Sequence, residues 1–410
     1  MSALRRRVVV AGAGIGGLTA AVALHRRGWR VTVCERAPGP SAVGAGIVLA
    51  PNALRAFDAI GFDATRAAGQ ALPAAMGLRR PDGGWLNRAD TVALTARYGR
   101  PPLALHRSAL ADALAAELPD GTIRYSCAVT AVDDAVGRPV VRTAAGDLEA
   151  DLVLAADGIH SPLRHQYFPD HPGLRYSGET AWRTVLPAAE PKTETAETKA
   201  DVDTAETWGR GQRFGTVPLA DGRIYLYATA VAPEGHRPAD VLAELVRRFG
   251  TWHDPIPALL ERIDPAAVLQ HDLYDLAAPL PRFHHGRLAW LGDAAHAMTP
   301  NLGQGGCQAI EDAVVLAHLL DAEDAGDADD AGESDDARGI PAALAAYSAA
   351  RCARTDAIRV RARRMGRVAA LSHPFAVAVR DLAVRATPAF AAQRAMDEIF
   401  DGFTLPARPA

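Results

Sequence analysis

The feature that most constrains the fold is a glycine-rich turn between an apolar strand and an apolar helix near the N-terminus. Residues 7–11 (RVVVA) are β-branched and uninterrupted, which predicts a strand buried on both faces. The stretch LTAAVALHRRG follows and predicts a helix that ends at Gly28. A second strand, WRVTVCER, completes a βαβ unit, and such units build parallel α/β sheets.

The turn itself has the GxGxxG spacing of a dinucleotide-binding site. Gly12 fits the tight turn, Gly14 lets the backbone approach a pyrophosphate at the helix N-terminus, and Gly17 allows the helix to pack closely on the strand. Glu35 ends the second strand, where its carboxylate can accept from ribose hydroxyls, and the adjacent Arg36 is also assigned to the cofactor. This pattern predicts an adenine dinucleotide but does not choose between NAD and FAD.

A later stretch, WLGDAAHAMTPNLGQGG (290–306), favours FAD. It ends an apolar strand on Asp293, whose carboxylate can accept hydrogen bonds from the hydroxyls of an open ribityl chain. NAD has no ribityl chain and needs no such second site. Bare backbone amides at a helix N-terminus can then face a flat, electron-accepting ring, and they belong to Gly303, Gln304, Gly305 and Gly306.

Composition disfavours several other classes of protein. The chain has 410 residues, which predicts two or three domains. A net charge of −4 and an aromatic content of 6% argue against a nucleic-acid surface. The four cysteines lie far apart, as in a cytoplasmic protein, and the sequence predicts no membrane span and no metal site. We expect a monomer or homodimer that binds a small-molecule substrate.

Strand patterns predict an α/β fold with two intertwined domains. A Rossmann-like FAD-binding domain is expected to be interrupted by a mainly antiparallel substrate-binding sheet, because short alternating strands fill 76–98 and 175–230. The predicted ranges are 1–72, 101–174 and 276–320 for FAD binding, 73–100 and 175–275 for the substrate sheet, 321–339 for an acidic flexible loop, and 340–410 for a C-terminal helical region.

Biased composition marks three further segments. Residues 191–207 and 321–339 are acidic, alanine-rich and poor in large apolar side chains, so both are predicted to be flexible surface loops, with an acidic interaction segment as the alternative. The arginine-rich run over 351–367 could form a nucleic-acid or membrane patch. A solvated or internally paired helix is the favoured interpretation, because its arginines fall on several helix faces.

Three motifs occur in a characteristic order: GAGIGG with Glu35, AADGIHSPLR at 155–164, and WLGDAAHAMTPNLGQGGCQAIEDA at 290–313. Together they resemble the fingerprints of the group A FAD monooxygenases, the flavoprotein aromatic hydroxylases of the p-hydroxybenzoate and salicylate hydroxylase type. The resemblance covers nearly the whole chain. It implies noncovalent FAD, NADH or NADPH as a transient reductant, O2 as co-substrate, and hydroxylation of an aromatic or electron-rich small molecule through a C4a-hydroperoxyflavin.

The same resemblance assigns further cofactor residues. Asp157 and Gly158 belong to the fingerprint that is tied to both FAD and the nicotinamide donor. Arg107 matches the arginine that contacts the phosphate and ribityl region of FAD. Gly46 and Ile47 match the loop that lines the flavin. Simpler roles are open for two of them, since Arg107 can pair with a surface acid and Asp157 can cap the following turn.

Catalytic residues follow from the resemblance only in outline. Arg213 and Tyr225 match substrate-binding residues of FAD-dependent urate hydroxylases, although both could equally be strand residues that face solvent. The carbonyl of Pro300 is expected near the reactive edge of the ring. Those hydroxylases carry Asp where Asn301 stands here, which argues against urate because an amide cannot act as a general base. His296 is expected to pack or to bond the backbone, and no base is assigned.

Other outcomes of the same flavin chemistry stay open. They are epoxidation, Baeyer–Villiger oxidation, and inactivation or tailoring of an antibiotic. A halogenase is disfavoured because no lysine stands where a hypohalous acid relay would need it. A non-catalytic escort protein on the same fold has no need of Asp293 or the GQGG segment.

Overall fold

The computed structural model describes residues 6–40, 45–67, 69–72, 75–133, 138–188, 202–320 and 336–408. Within these ranges the strands are, in chain order, β1 (Arg7–Ala11), β2 (Arg30–Cys34), β3 (Gly46–Leu49), β4 (Gln70–Ala71), β5 (Ala75–Arg79), β6 (Trp85–Asp90), β7 (Leu103–His106), β8 (Ile123–Arg124), β9 (Val129–Asp133), β10 (Val140–Thr143), β11 (Gly146–Glu149), β12 (Leu152–Ala155), β13 (Leu174–Leu186), β14 (Thr204–Trp208), β15 (Gln212–Pro218), β16 (Ile224–Val231), β17 (Leu269–Leu276), β18 (His284–His285) and β19 (Leu288–Trp290). The helices are α1 (Ile15–His25), α2 (Pro51–Ala59), α3 (Thr91–Tyr98), α4 (Arg107–Ala115), α5 (Pro162–Tyr167), α6 (Val241–Phe249), α7 (Ile256–Leu260), α8 (Asp293–His296), α9 (Gly305–Leu320), α10 (Asp336–Ala369), α11 (Pro374–Ala386) and α12 (Ala389–Phe400).

The first sheet is the parallel sheet that the N-terminal βαβ pattern predicts. Its strand order is β18-β19-β12-β1-β2-β8, and β19, β12, β1, β2 and β8 pair in parallel. Residues 8–11 of β1 are fully buried, as their unbroken apolar sequence requires. Helix α9 packs on both α1 and α10, and the three helices contribute to one hydrophobic core. The carboxyl ends of β1, β12 and β19 therefore meet at one edge of the sheet.

The second sheet has the order β17-β13-β16-β15-β14-β5-β6 and is antiparallel except where β14 pairs with β5. One face buries Trp182 and Phe214 against α6, which contributes Phe249, and against α7. The opposite face carries Tyr225, which packs with Ala45 beside β3. The sheet is therefore covered by its own helices on one side and turns its other side toward the cofactor-binding segments. The predicted α/β class with a second, antiparallel sheet is confirmed, and the domain boundaries stay predictions.

Two predicted loops are wrong in part. Residues 204–207, within the predicted loop 191–207, belong to β14, because β14 pairs with β15 on one side and β5 on the other. Residues 336–339, within the predicted loop 321–339, belong to α10, whose buried Ile340 and Leu344 hold its first turns on the core. Residues 202 and 203 lie outside any helix or strand, and 191–201 and 321–335 lie outside the described residues.

The arginine-rich run lies on α10, and several of its arginines are paired internally. Arg351 bonds two buried carboxylates, Arg359 bonds Asp356, and Arg363 bonds Asp275. For these three arginines the predicted internal pairing is confirmed. In the ranges that the structure covers, no helix is long and apolar enough to cross a bilayer, and no group of three or more His, Cys, Asp or Glu side chains could hold a metal ion.

Candidate active site

The glycine turn after β1 leaves no room for side chains at two positions. Gly12 has φ +104°, and a methyl group there would overlap the carbonyl oxygen of Ala156 at the end of β12. A methyl group at Gly17 would overlap the carbonyl oxygen of Gly12. Only glycine fits at these two positions. The turn therefore packs closely on the end of β12 and on α1, as the GxGxxG spacing predicts.

Gly14 faces open space instead. No atom of the described residues lies within 4 Å of a Cβ placed on it. Gly14 is also the N-cap of α1 and, lacking a side chain, makes no side-chain cap, so the first amides of the helix face that space. An uncapped helix N-terminus attracts a negatively charged group. The turn thus has the shape and the polarity for a pyrophosphate.

Glu35 is held firmly beside this turn. Its Oε2 accepts from the Ala13 amide and its Oε1 from the Ala37 amide, both at 2.8 Å. Each oxygen retains a further lone pair that can accept from a ribose hydroxyl. Arg36 follows on the exposed side of the loop. The geometry suits Glu35 as a ribose acceptor.

Asp157 carries a polar atom that the protein leaves unsatisfied. Its Oδ2 accepts from the Leu163 amide at 3.4 Å, whereas its Oδ1 is buried and has no hydrogen-bond partner among the described residues. Burial raises the pKa of this carboxyl, and Ser161 and the Leu163 amide offset the rise only in part. Gly158 follows at φ +82° and faces open space. A buried acceptor of this kind is available to a donor group of a ligand.

Asp293 lies beside the N-terminus of α9. It follows β19 and a turn at Gly292, its side chain is exposed, and its Oδ1 is 3.8 Å from a Cβ placed on Gly305. Gly305 and Gly306 are the first two residues of α9. A carboxylate and the free amides of a helix N-terminus therefore lie side by side, one an acceptor and the other a set of donors.

The two residues before α9 play different parts. Gly303 adopts φ +63° and turns the chain into the helix. Gln304 is buried, and its amide oxygen accepts from Asn52 Nδ2 at 3.0 Å, which ties α9 to α2. Its Nε2 is buried and without a partner in the described chain. Gln304 can therefore contact a cofactor through its backbone and through its unsatisfied side-chain Nε2.

The loop predicted to line the flavin lies between the second sheet and α9. The ring of Tyr225 packs directly on Gly46, where a methyl group would overlap it. The Cδ1 of Ile47 is 3.0 Å from a Cβ placed on Gly306. The backbone amide of Arg107, the first residue of α4, donates to Ala45 at 3.0 Å, and its side chain is exposed. The structure thus brings the predicted flavin loop to the N-terminus of α9.

Arg213 and Tyr225 are not solvent-facing strand residues, and that alternative is wrong. Their exposed fractions are 3% and 8%. Burial raises the pKa of the Tyr225 phenol, and the positive charges of Arg183 and Arg107 offset this in part. The alternation of β15 and β16 directs both side chains to the face that opposes the cofactor-binding segments.

Arg213 is engaged by the protein itself. Its Nε donates to Thr229 at 2.9 Å, its Nη2 to Glu179 at 3.2 Å, and its Nη1 to Glu206 at 3.4 Å. Glu206 accepts also from the Tyr227 hydroxyl at 2.7 Å. We call Glu179, Glu206, Arg213, Tyr227 and Thr229 the acidic cluster.

Sequence reasoning missed the acidic residues of this cluster. Glu179 and Glu206 lie on β13 and β14, which follow each other in the chain but are separated in the sheet by β16 and β15. Burial raises the pKa of the Tyr227 phenol well above its usual range, and Glu206 adds to the rise, so Tyr227 stays protonated and keeps donating. One sequence signal could have predicted the pairing of Glu206 with Arg213. Residues alternate between the two faces of β14 and β15, and this alternation places Glu206 and Arg213 on one face.

The third fingerprint contains a short turn, Pro300–Leu302, which lies beside α10 and which we call the fingerprint turn. Pro300 is exposed. Asn301 donates to Thr299 Oγ1 at 2.9 Å and to the Ala362 carbonyl at 3.0 Å, while its Oδ1 is buried with no partner in the described ranges. Gly366 of α10 makes room for Asn301 and lies also against Glu179, since a Cβ there would be 3.6 Å from Glu179 Oε2. The acidic cluster and the fingerprint turn therefore adjoin.

His296 is a structural residue that packs in the core beside Phe283, as expected, while its hydrogen bond differs from the expected one. Its Nε2 lies 2.5 Å from Asp312 Oδ2, so it bonds a buried carboxylate rather than the backbone. The same oxygen accepts from the Gly292 amide at 2.9 Å, and Arg351 Nε binds Oδ1 of Asp312 at 2.6 Å. This buried group fixes the turn that presents Asp293, and no solvent reaches His296 for proton transfer.

Comparison with known proteins agrees with the cofactor that this geometry suits. A family model described as FAD binding domain matches residues 5–335. The chain is 39% identical to an aurachin C monooxygenase/isomerase of Stigmatella aurantiaca, covering 92% of this chain and 93% of that protein. It is 32% identical to a 2-heptyl-3-hydroxy-4(1H)-quinolone synthase of Pseudomonas aeruginosa, covering 96% and 98%. A FAD-dependent urate hydroxylase of Klebsiella pneumoniae is also 32% identical, covering 87% and 89%.

Solved structures give the same answer. Klebsiella pneumoniae HpxO complexed with FAD and uric acid has a TM-score of 0.85 at 27% identity, covering 98% of each chain. A salicylate hydroxylase substrate complex, at 23% identity and a TM-score of 0.76, shares the fold. The curated relatives are named as enzymes, and the escort role is thereby excluded. This chain belongs to the group A FAD-dependent monooxygenases, which use FAD, NADH or NADPH, and O2 to hydroxylate aromatic or electron-rich small molecules.

Proposed function

We propose that this monooxygenase acts on an uncharged heteroaromatic ring that donates a hydrogen bond from a ring N–H, as a 4(1H)-quinolone does. The observation that carries the proposal is the engagement of Arg213 by both Glu179 and Glu206. Two carboxylates then face one guanidinium group, so the cluster offers acceptors and not a free cation. The two carboxylates and the guanidinium together carry one net negative charge, so at about 4 Å and an effective dielectric constant of about 20 an anionic substrate would meet a net repulsion of about 4 kcal/mol.

The names of two relatives support this class of substrate. One is a synthase of a 3-hydroxy-4(1H)-quinolone and the other an aurachin C monooxygenase/isomerase. The word isomerase keeps open an epoxidation or rearrangement of the ring as an alternative to plain hydroxylation. Urate is disfavoured, because Asn301 replaces the acid of the urate hydroxylases and Arg213 is already neutralised.

Glu179 is the group we assign to the substrate N–H. Its Oε1 is occupied by Arg213 and Thr229, whereas its Oε2 points past Gly366 toward the turn at Asn301. By accepting, or removing, the ring proton, a carboxylate raises the electron density of the ring carbon that is to be oxidised. Val217 and Tyr225 provide an apolar wall beside the cluster that excludes water.

The cofactor residues form one further part of the proposal. When bound, FAD accepts a hydride from NADH or NADPH and delivers one oxygen atom of O2 to the substrate. We assign its pyrophosphate to the open space at Gly14, its adenosine ribose to Glu35, and its ribityl chain to Asp293. The unsatisfied Oδ1 of Asp157 and the first amides of α9 supply further contacts. A cytoplasmic location and a monomeric or homodimeric state stay part of this proposal.

Replacing Asp293 by alanine should weaken FAD binding by about 10- to 150-fold, because a hydrogen bond to a charged acceptor contributes about 1.5–3 kcal/mol. The exposed side chain makes little contribution to the core, so the fold should remain. Titration of the apoprotein with FAD measures the affinity, and circular dichroism measures the fold. Asp120→Ala, at another exposed aspartate, is the control. Equal FAD affinity in both variants would contradict the ribityl assignment.

Replacing Glu179 by glutamine tests the substrate assignment. We expect kcat/KM for a 2-alkyl-4(1H)-quinolone to fall by about 100-fold, the lower end of what proton transfer contributes. The flavin absorbance should not change, which separates a substrate defect from loss of cofactor. Substrate-stimulated NAD(P)H oxidation and oxygen uptake measure the rate, and the matched control is Glu244→Gln on α6, whose carboxylate pairs with Arg248.

The choice of substrates completes that test. The wild-type enzyme should oxidise the quinolone and leave salicylate and urate unchanged. An N-methylated quinolone lacks the ring donor, so it should react slowly with the wild type and equally slowly with Glu179→Gln. Faster turnover of salicylate or urate, or an unaltered Glu179→Gln enzyme, would show that the acidic cluster does not select the substrate.

A further inference from the structure

Helix α11 has its apolar side outward. Phe375, Val379 and Leu382 are exposed by 73%, 51% and 67%, and their spacing puts them on one helix face. We call these three residues the α11 stripe. Ordinary surface helices bury such a stripe and expose their charges. An apolar face of this kind needs a partner.

The inward side of α11 is held by an arginine. Arg380 is 3% exposed, its Nη1 donates to the carbonyls of Gly209 at 3.0 Å and Ala369 at 3.3 Å, and its guanidinium lies 5.5 Å from the ring centroid of Trp208. These bonds fix the orientation of the helix about its axis. The outward direction of the α11 stripe is therefore built into the fold.

Exposed apolar side chains are concentrated in this part of the molecule. Ten large apolar residues of the described chain are exposed, and six of them lie within residues 365–390. In addition to the α11 stripe, these are Met365, Val368 and Phe390. The concentration indicates one interaction surface and not scattered exposure.

The unpaired charge of this surface is positive. Arg364, Arg367 and Arg385 are exposed and have no carboxylate partner within the part of the chain that the structure describes. Arg364 is one turn from Val368, and Arg385 is one turn from Leu382.

The acidic side chains here are already paired within the protein. Asp381 binds Arg380, Asp397 binds Arg97, and Glu398 binds Arg361. The three unpaired arginines thus set the charge that a partner meets.

We propose that α11 and the end of α10 dock on an anionic phospholipid surface. A helix with an apolar stripe and flanking arginines lies in the interface, with its apolar side chains in the acyl boundary and its cations among the headgroups. A second copy of the chain fits less well, because it would bring two sets of unpaired arginines together. The inward side of the docked helix contacts Trp208, whose Nε1 donates to Glu206 at 2.7 Å, so α11 would lie between the lipid surface and the proposed substrate cluster.

Vesicle binding by the purified, FAD-loaded protein tests the proposal. We expect co-sedimentation with vesicles of equal parts phosphatidylglycerol and phosphatidylcholine, weaker binding at high salt, and little binding to phosphatidylcholine alone. Leu382→Glu should lower the binding constant by about tenfold or more, since it removes an apolar side chain from the interface. Arg385→Ala should lower it roughly fivefold, the effect of one cation near an anionic surface.

The control is Val246→Glu, which introduces the same charge at a 48% exposed apolar residue on α6. It should bind vesicles like the wild type, and all variants should retain flavin. Absence of wild-type binding to anionic vesicles, or equal binding by Leu382→Glu and Val246→Glu, would overturn the proposal. So would a dimer, detected by light scattering, that Leu382→Glu converts to a monomer, because the α11 stripe would then be a contact between copies.

Discussion

Replacing Arg351 by alanine is expected to lower the free energy of unfolding by about 3–5 kcal/mol, because it leaves buried carboxylates without their cation. The side chain is 2% exposed, and its guanidinium bonds Glu311 at 2.5 Å and Asp312 at 2.6 Å. Urea unfolding followed by tryptophan fluorescence measures the loss. Arg364→Ala, an exposed arginine of the same helix, should change the free energy by no more than about 0.5 kcal/mol. Similar values for the two variants would show that the buried pairs contribute nothing.

The same group makes stability depend on acid. Burial alone would raise the pKa of Asp312, but the charges of His296 and Arg351 outweigh it and lower the pKa from 3.8 to about 2. Because the folded pKa lies below the unfolded one, this carboxylate stabilises the protein fully above about pH 4 and loses that contribution as the pH falls toward about 2. Arg351→Ala should flatten this part of the stability profile. An unchanged profile would mean that other carboxylates dominate acid unfolding.

Replacing Gly17 and Gly14 by alanine, one at a time, should weaken FAD binding in both variants but lower the stability of the fold only in Gly17→Ala. Gly17→Ala forces a methyl group onto the Gly12 carbonyl oxygen, a backbone atom that cannot rotate away. Overpacking costs about 1–3 kcal/mol even among side chains, so we expect the upper end of that range together with loss of FAD. Gly14→Ala meets no atom of the described chain within 4 Å and should fold normally.

The unfolding curve distinguishes the two glycine variants, because both are expected to bind FAD weakly. If the pyrophosphate occupies the space at Gly14, its alanine variant should bind FAD on the order of 100-fold more weakly, about 2.7 kcal/mol, while its unfolding curve matches the wild type. FAD titration and urea unfolding of both apoproteins measure the two quantities separately. Normal FAD affinity in Gly14→Ala would place the pyrophosphate elsewhere. Normal stability in Gly17→Ala would mean that α1 can shift away from β1.

The parts of the site that were predictable are those whose geometry is local. The contact between Gly12 and Gly17 is confined to one short turn, and backbone sterics alone demand glycine there. The positions of Glu35 after β2 and Asp293 after β19 follow because parallel strands bring their carboxyl ends to one edge.

The partners of Arg213 could not all be predicted from local sequence. Its resemblance to a substrate-binding arginine was visible, but the two carboxylates that occupy it come from β13 and β14, and Glu179 lies 34 residues away. The pairing of His296 and Arg351 with Asp312 was equally hidden, since it joins α8, α9 and α10. Side chains this far apart meet only when sheet register and helix packing are known.

By itself, the sequence determined the parallel sheet, the nucleotide-binding turn and the FAD-dependent chemistry, because each depends on backbone geometry within a short segment or on a recognisable motif. Only the tertiary structure decided that Arg213 is neutralised, that His296 is structural, and that α11 turns its apolar side outward. These features depend on contacts between segments distant in the chain, where burial and charge pairing decide what a side chain can do.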